Sequence, residues 1–247
     1  VVEICCRRYP EVGIHGRVVH ELGKEIVRGT FKPYEKLPNE ASLINRFKSS
    51  RTALREAFRV LAAKGLLEAR QRTGTIVRAK IYWNLIDPDI LAWQSFESLT
   101  PDMLRNLMEF RLITEPVVVR LVARSASEDQ VNDLRKICIA MGKLEQFESR
   151  EAVFDSKLQF HMVLFEICHN AFLARQRDVI QKILKYEFHQ QCLQGSCLNG
   201  SAKNYAFIVE KIKVRNAAAA EQSFRDLIEK ENNILQGFMV GLESIVA

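Results

Sequence analysis

The sequence predicts a mainly α-helical chain in two parts, an N-terminal winged helix-turn-helix with a small β-hairpin wing and then an all-α helical bundle. Three observations carry this. Apolar residues recur at helical spacing in three short segments before Gly65. Two short β-patterned stretches around Gln-Arg-Thr-Gly follow them. From Thr100 onward only helical patterns remain. The length, 247 residues, suits two compact domains.

In the first helix, roughly His15 to Arg28, Val18, Val19, Leu22, Ile26 and Val27 form one stripe, and Gly29 terminates it. The stretch FKPYEKLP is loop chemistry. Asn39 can cap a short second helix whose buried face is Leu43, Ile44 and Phe47. A third helix starts at Ser49 or Ser50 and runs to about Lys64, where Gly65 stops it. Its inward face is Ala53, Leu54, Ala57, Phe58 and Leu61. The hairpin then pairs LLEAR with TIVRAK, with Gly74 at its tip. Helix, helix, short break, helix and hairpin make the winged helix-turn-helix.

Residues 80–100 read as a connector. Asp87-Pro88 is a turn signal, and Trp83, Leu85, Ile90, Leu91 and Trp93 are too apolar for a floppy linker, so the segment is expected to dock onto one of the domains. Helices are then expected at about 101–125, 127–147, 151–169, 171–193, 203–215 and 217–245, with LQGSCLNGSA (193–202) as a loop. The domain reading is thus an N-terminal extension 1–14, a winged-helix domain 15–79, a connector 80–100 and a helical domain 101–247.

Charge is distributed unevenly. Residues 1–80 hold 17 Lys+Arg against 8 Asp+Glu, net +9, and residues 81–247 hold 19 against 22, net −3. A basic head on a mildly acidic body is the footprint of a nucleic-acid module joined to another domain. Arg51, Arg55 and Arg59 lie four apart on the third helix, a repulsive spacing that an anionic partner would relieve. Ser50, Arg51 and Thr52 stand at that helix's N-terminal turn, the end of a recognition helix that meets base edges. A solvated, arginine-rich helix is the plainer reading, and the hairpin that follows weighs against it.

Several classes are excluded. There is no nucleophile elbow, P-loop, HExxH or GxGxxG, and Cys168 and His169, adjacent on a helix, point apart, so no enzyme is expected. The six cysteines, at 5, 6, 138, 168, 192 and 197, have no zinc spacing. Cys138 and Cys168 read as core residues, and a Cys192–Cys197 bridge is not expected in a reducing cytoplasm. No stretch has transmembrane length, and the N-terminus lacks the features of a signal peptide, so a cytoplasmic protein is expected.

The run from Leu37 to Val77 resembles the winged-helix domain of the GntR family of bacterial transcriptional regulators. It carries LP-x-E (37–40), S-R-x-x-L-R-E-A (50–57), L-x-x-x-G-L (61–66) and G-x-x-V (74–77). The remainder is similar to the FCD ligand-binding domain of the FadR subgroup through E-F-R-x-x-x-E-P (109–116), F-H (160–161) and H-N (169–170). The connector WNLIDPDILAW closely resembles that of galactonate-operon repressors. The likeness implies a homodimer on a palindromic DNA operator, a small carboxylate effector in the helical domain, and repression relieved by that effector. It implies DNA contacts at Ser50, Arg51, Thr52 and Arg55, with Gly74 letting the wing approach the minor groove. Two departures stand out: Tyr34 where the family usually has Gly, and Ala41 where some members carry a DNA-contacting Arg.

Many FCD domains hold a divalent metal with one Asp and three His. Here His161 matches the first His, Lys157 replaces the Asp four residues earlier, Tyr205 replaces the second His, and Glu229 falls roughly at the third. An ammonium repels a cation, so no metal and no other cofactor is expected; a reorganised site using His161 and Glu229 is the alternative. The effector-binding set is then Arg111, Lys157, His161 and Tyr205. Arg111 and Lys157 would share one carboxylate, while His161 and Tyr205 would bond hydroxyls of a sugar acid. Against this stand a Lys157 that snorkels to the surface, an Arg111 paired with Glu115 at i+4, and a vestigial pocket that serves only dimerisation. The remaining histidines, His15, His20, His169 and His189, read as helix-end or surface residues.

Overall fold

A computed structural model describes residues 8–95, 100–147, 149–193 and 201–246, with the backbone alone at 101, 201 and 233–246. The readings made for residues 194–200, for Cys5, Cys6 and Cys197, and for the start of the N-terminal extension lie outside these residues. The described residues form two compact units, one up to Ser95 and one from Thr100.

The first unit contains α1 (Gly13–Val27), α2 (Glu40–Phe47), α3 (Arg51–Ala63), β1 (Leu67–Arg70), β2 (Gly74–Val77), a 3-10 turn at Lys80–Tyr82, and α4 (Pro88–Trp93). The strands are antiparallel, with Leu67 opposite Val77 and Arg70 opposite Gly74. Gly74 therefore closes the ladder, and the tip is Gln71–Arg72–Thr73. Asn39 caps α2 by accepting from the Ser42 N–H (2.8 Å), and Ser50 caps α3 by accepting from the Ala53 N–H (3.1 Å). Tyr34 adopts the left-handed backbone, φ +68°. A non-glycine residue pays for this in strain, which explains the family's Gly at that turn.

The connector is part of this unit's core. Trp93 is 1% exposed and clusters with Val18, Leu22, Ile26, Leu54 and Leu61. Gly23 makes the contact possible, because a Cβ there would lie 2.4 Å from the indole. Gly65, φ +80°, has a similar reason to lack a side chain: its Cβ would stand 2.0 Å from the Tyr82 carbonyl oxygen. Lys64 bridges Asp87 (2.8 Å) and Asp89 (2.7 Å), fastening the end of α3 to the start of α4. His20 is not a surface residue. It is 4% exposed, its Nδ1 accepts from the Trp93 indole N–H (3.0 Å), and its Nε2 lies 2.8 Å from the Tyr9 carbonyl. Its helical position faces the segment before α1 and the connector after the wing, which sequence periodicity within α1 does not register.

The second unit packs α5 (Pro101–Ser125), α6 (Glu128–Gln146), α7 (Arg150–Ile167), α8 (Ala171–Ala174), α9 (Arg177–Leu193), α10 (Ser201–Lys213) and α11 (Ala217–Val246). The segment 171–193, expected as one helix, is two. Asn170 caps α8 through its side chain, and a break at Arg175–Gln176 precedes α9. Ser127 and Gln130 form a capping box on α6. Pro116 sits inside α5 and cannot donate to the Leu112 carbonyl; Arg225 of α11 donates to that carbonyl instead (3.4 Å). Cys138 and Cys168 are buried, as small core residues. Among the described residues no helix is long and apolar enough to cross a membrane.

Candidate functional sites

The first site is the exposed end of α3. Arg51, Arg55 and Arg59 have side-chain exposures of 72%, 60% and 78%. Glu40 of the LP-x-E motif stands between two of them, 3.8 Å from Arg51 Nε and 3.4 Å from Arg55 Nε, and Glu56 holds Arg59 at 2.6 Å. These carboxylates offset the repulsion along the stripe and pre-set the arginine rotamers. Ser50 spends its oxygen as the helix cap, which leaves its O–H as a donor. Thr52, Gly74, Ala41 and Arg72 are exposed. Arg72 at the wing tip takes φ +62°. Its one signal in the sequence is the turn composition of QRTG.

The second site lies inside the helical unit. Five helices converge on one buried ionic cluster: Arg111 and Glu115 from α5, Lys157 and His161 from α7, Glu187 from α9, Tyr205 from α10 and Glu231 from α11. Arg111 is fully buried. Its Nε donates to Glu115 (2.7 Å), its Nη1 to Glu187, and its Nη2 to Glu231 (2.8 Å). Lys157 does not snorkel to the surface. It is 3% exposed, and its ammonium donates to Glu231 (2.7 Å) with Glu187 at 3.9 Å. His161 lies between Glu115 at Nδ1 and the Tyr205 hydroxyl at Nε2 (2.9 Å). With Tyr205 donating to Nε2, the ring hydrogen stands on Nδ1 and Glu115 accepts it. Phe160 and Phe224 wall the pair with ring contacts at 4.8 Å to Tyr205 and 5.5 Å to His161.

The structure thus brings Arg111, Lys157, His161 and Tyr205 together, and adds three glutamates. The Arg111–Glu115 pair, visible as i+4 spacing, forms. Glu187 and Glu231 lie 76 and 120 residues from Arg111, and no local pattern announces them. Glu229, which falls roughly at the family's third His and is a ligand only in the alternative metal reading, is exposed. Glu231 enters instead, because two residues along a helix turn a side chain by about 200°.

Burial raises the cost of every charge here, and the partners decide the outcome. Burial opposes the charge on Arg111, but Glu187, Glu115 and Glu231 together hold its pKa well above the arginine value. Burial likewise pushes Glu115 up, yet His161 and Arg111 bring it below the usual carboxylate range. Glu231 is held down at about 2 by Lys157 and Arg111 against the same burial. For Glu187 burial wins, and its pKa is raised despite Arg111 and Lys157. Burial, with Glu231 next, keeps the Tyr205 proton far above its ordinary value.

These signs separate two substitutions. A lowered carboxylate contributes stability above its unfolded pKa, lost as pH falls through the folded value; a raised one costs stability once pH exceeds the unfolded pKa. At pH 7 Glu115→Gln is therefore expected to destabilise the helical unit by about 1–3 kcal/mol, whereas Glu187→Gln is expected to be neutral or stabilising. Urea unfolding followed by circular dichroism at pH 7 compares them. Equal losses would contradict the assignment.

The FCD domain model matches residues 106–230, just over half the chain, and the model of bacterial regulatory proteins of the gntR family matches residues 14–77. The chain belongs to the GntR family. It is a GntR-family transcriptional regulator and not an enzyme. Among its relatives, the Galactonate operon transcriptional repressor of Escherichia coli (strain K12) is 28% identical over 222 residues, covering 89% of this chain and 96% of that protein. The HTH-type transcriptional repressor NanR of Enterobacter sp. (strain 638) is 33% identical over 157 residues, covering 62% of this chain and 58% of that protein. A solved structure described as Lar, which controls expression of the Listeria monocytogenes agr system, shares the fold at TM-score 0.55 and 19% identity, covering 91% of this chain and 96% of its own.

The metal of many FCD domains does not suit the residues of this family member. Lys157 presents an ammonium, both ring nitrogens of His161 are engaged, and Tyr205 meets one of them. Among the described residues no group of three His, Cys, Asp or Glu side chains is arranged to hold a metal ion.

Proposed function

We propose that this regulator is a homodimeric repressor of a sugar-acid or related carboxylate catabolic operon in the cytoplasm, released from a palindromic operator by a small carboxylate effector. The observation that carries the effector half is the convergence of Arg111, Lys157, His161 and Tyr205 at one buried place. A guanidinium and an ammonium suit a carboxylate, and an imidazole beside a phenol suits hydroxyls. The name of the Escherichia coli relative makes galactonate the first acid to try. On DNA, Ser50, Arg51, Thr52 and Arg55 would enter the major groove while the wing at Gly74 meets the minor groove, and two-fold symmetry would match the palindrome. Effector binding changes DNA affinity only as far as it favours one arrangement of the dimer over another.

Fluorescence anisotropy on duplex DNA from upstream of the chain's own gene tests both halves. Arg51→Ala is expected to weaken binding about 10- to 100-fold, the cost of one base-reading arginine. D-Galactonate, or another sugar acid in the series, is expected to release the wild-type protein. Undiminished binding by Arg51→Ala would reject the DNA half, and release by no acid would reject the effector half. A second reading, a dimeric DNA-binding protein whose sensor is vestigial, is favoured by the saturation of Arg111 with three glutamates. It forecasts no release and no thermal shift with any acid.

A further inference from the structure

Arg111 and Lys157 already grip one carboxylate between them, and it is the chain's own. Glu231 Oε2 accepts from Arg111 Nη2 (2.8 Å) and its Oε1 accepts from Lys157 Nζ (2.7 Å). One oxygen on a guanidinium fork and the other on an ammonium is the grip these two side chains would apply to a small acid. We propose that Glu231 is an internal stand-in for a ligand carboxylate, and that a small hydroxy acid binds this site by displacing it. The proposal rests on the reading of the cluster as the effector site.

Three features single out Glu231. The first is its freedom. Glu115 is one turn from Arg111 on the same helix and also holds His161, and the side chains of Glu115 and Glu187 are 1% and 2% exposed. Glu231 is 13% exposed, so it alone of the three has a path to water. The second is charge. Three carboxylates already surround two permanent cations, and a fourth anion added to the enclosure would be unpaired, at a prohibitive desolvation cost. Exchange of one carboxylate for another keeps the balance. The third is Glu187. Its Oε2 is enclosed and receives no hydrogen bond, though it lies 3.9 Å from Lys157 Nζ. A buried acceptor without a donor is costly, and a hydroxyl next to the incoming carboxylate supplies one. This selects a hydroxy acid over a plain fatty acid. Displacement also cuts one of the ionic ties of α11, that of Glu231 to Arg111 of α5 and Lys157 of α7, and leaves the Glu221–Arg120 pair in place.

The test is chemical rescue in the full chain. Glu231→Ala removes the equivalent of one acetate from between Arg111 and Lys157. Acetate is expected to raise the melting temperature of Glu231→Ala by about 2 °C or more, with no effect from acetamide and none on the wild type at the same concentration. Acetate acting equally on both proteins, or on neither, overturns the proposal. If Glu231→Ala does not fold, Glu231→Gln replaces it. By titration calorimetry it is expected to bind acetate at least tenfold more tightly than wild type, and equal binding or none overturns the proposal. The two readings fail separately. Rescue by acetate with no release of the wild type from DNA by any sugar acid removes the effector role and leaves the clamp. Normal release without rescue removes Glu231 alone.

Discussion

Replacing Arg111 by Met is expected to lower the stability of the helical unit by about 3–5 kcal/mol, the cost of removing one partner from a buried ionic network. That is a large share of the roughly 5–15 kcal/mol that holds a domain together. The guanidinium is the shared partner of Glu115, Glu187 and Glu231, each on a different helix. Their fates without it differ. Glu115 keeps His161 and Glu231 keeps Lys157, while Glu187 retains only the ammonium at 3.9 Å. The orphan is Glu187, already raised by burial with Arg111 present. It will take up a proton, so the loss in Arg111→Met should grow as pH rises from 5 to 8. Adding Glu187→Leu should recover part of the loss, because a buried pair replaced by apolar groups costs far less than a broken one. Urea unfolding by circular dichroism across that pH range measures all three effects. A loss below about 1 kcal/mol, or one independent of Glu187, would mean that the cluster is hydrated and loosely held.

What the sequence disclosed about these units follows the range of the interactions. The start of α3 was legible because its cap, its apolar face and its arginine stripe are all encoded within fourteen residues, Ser50 to Ala63. The wing was legible from turn chemistry, though the ladder closes at Gly74 and the tip falls one to three residues earlier. Arg111 and Glu115 were visible as a pair because one helical turn separates them. Glu187 and Glu231 were not, since each is an ordinary helical glutamate until tertiary packing faces it toward Arg111. The misplacement of Glu229 for Glu231 has the same origin. Five consecutive polar residues, Glu229 to Asn233, in the middle of α11 leave the helical phase undetermined by local pattern, and only tertiary packing fixes it. His20 was misread because the stripe of α1 is apolar, and a histidine on its edge becomes a core residue only when Tyr9 and Trp93 arrive from outside the helix.

Trp93 tests whether the connector belongs to the DNA-binding unit in energy as well as in position. Trp93→Ala is expected to destabilise that unit by about 3–5 kcal/mol, the range for truncating a buried tryptophan. Its indole is the largest fully buried side chain in the chain's described residues, lies directly on the backbone of α1 at Gly23, and stands 6.0 Å from the Lys64 ammonium. Its N–H is the donor for His20 Nδ1, so truncation leaves a cavity and a buried acceptor without its partner. Trp93→Phe separates these contributions. It restores most of the packing and leaves the lost hydrogen bond, a residual cost of about 1 kcal/mol. Both tryptophans of the chain, Trp83 and Trp93, lie in this unit. Trp83 fluorescence in the variants therefore follows the unfolding of the DNA-binding unit alone, while circular dichroism follows the helices of both. A fluorescence midpoint in urea unchanged by Trp93→Ala would show that the connector is laid against the unit without supporting it. A midpoint lowered as expected makes α4 a structural member of the DNA-binding unit, tied there by Lys64 to Asp87 and Asp89 as well as by the indole.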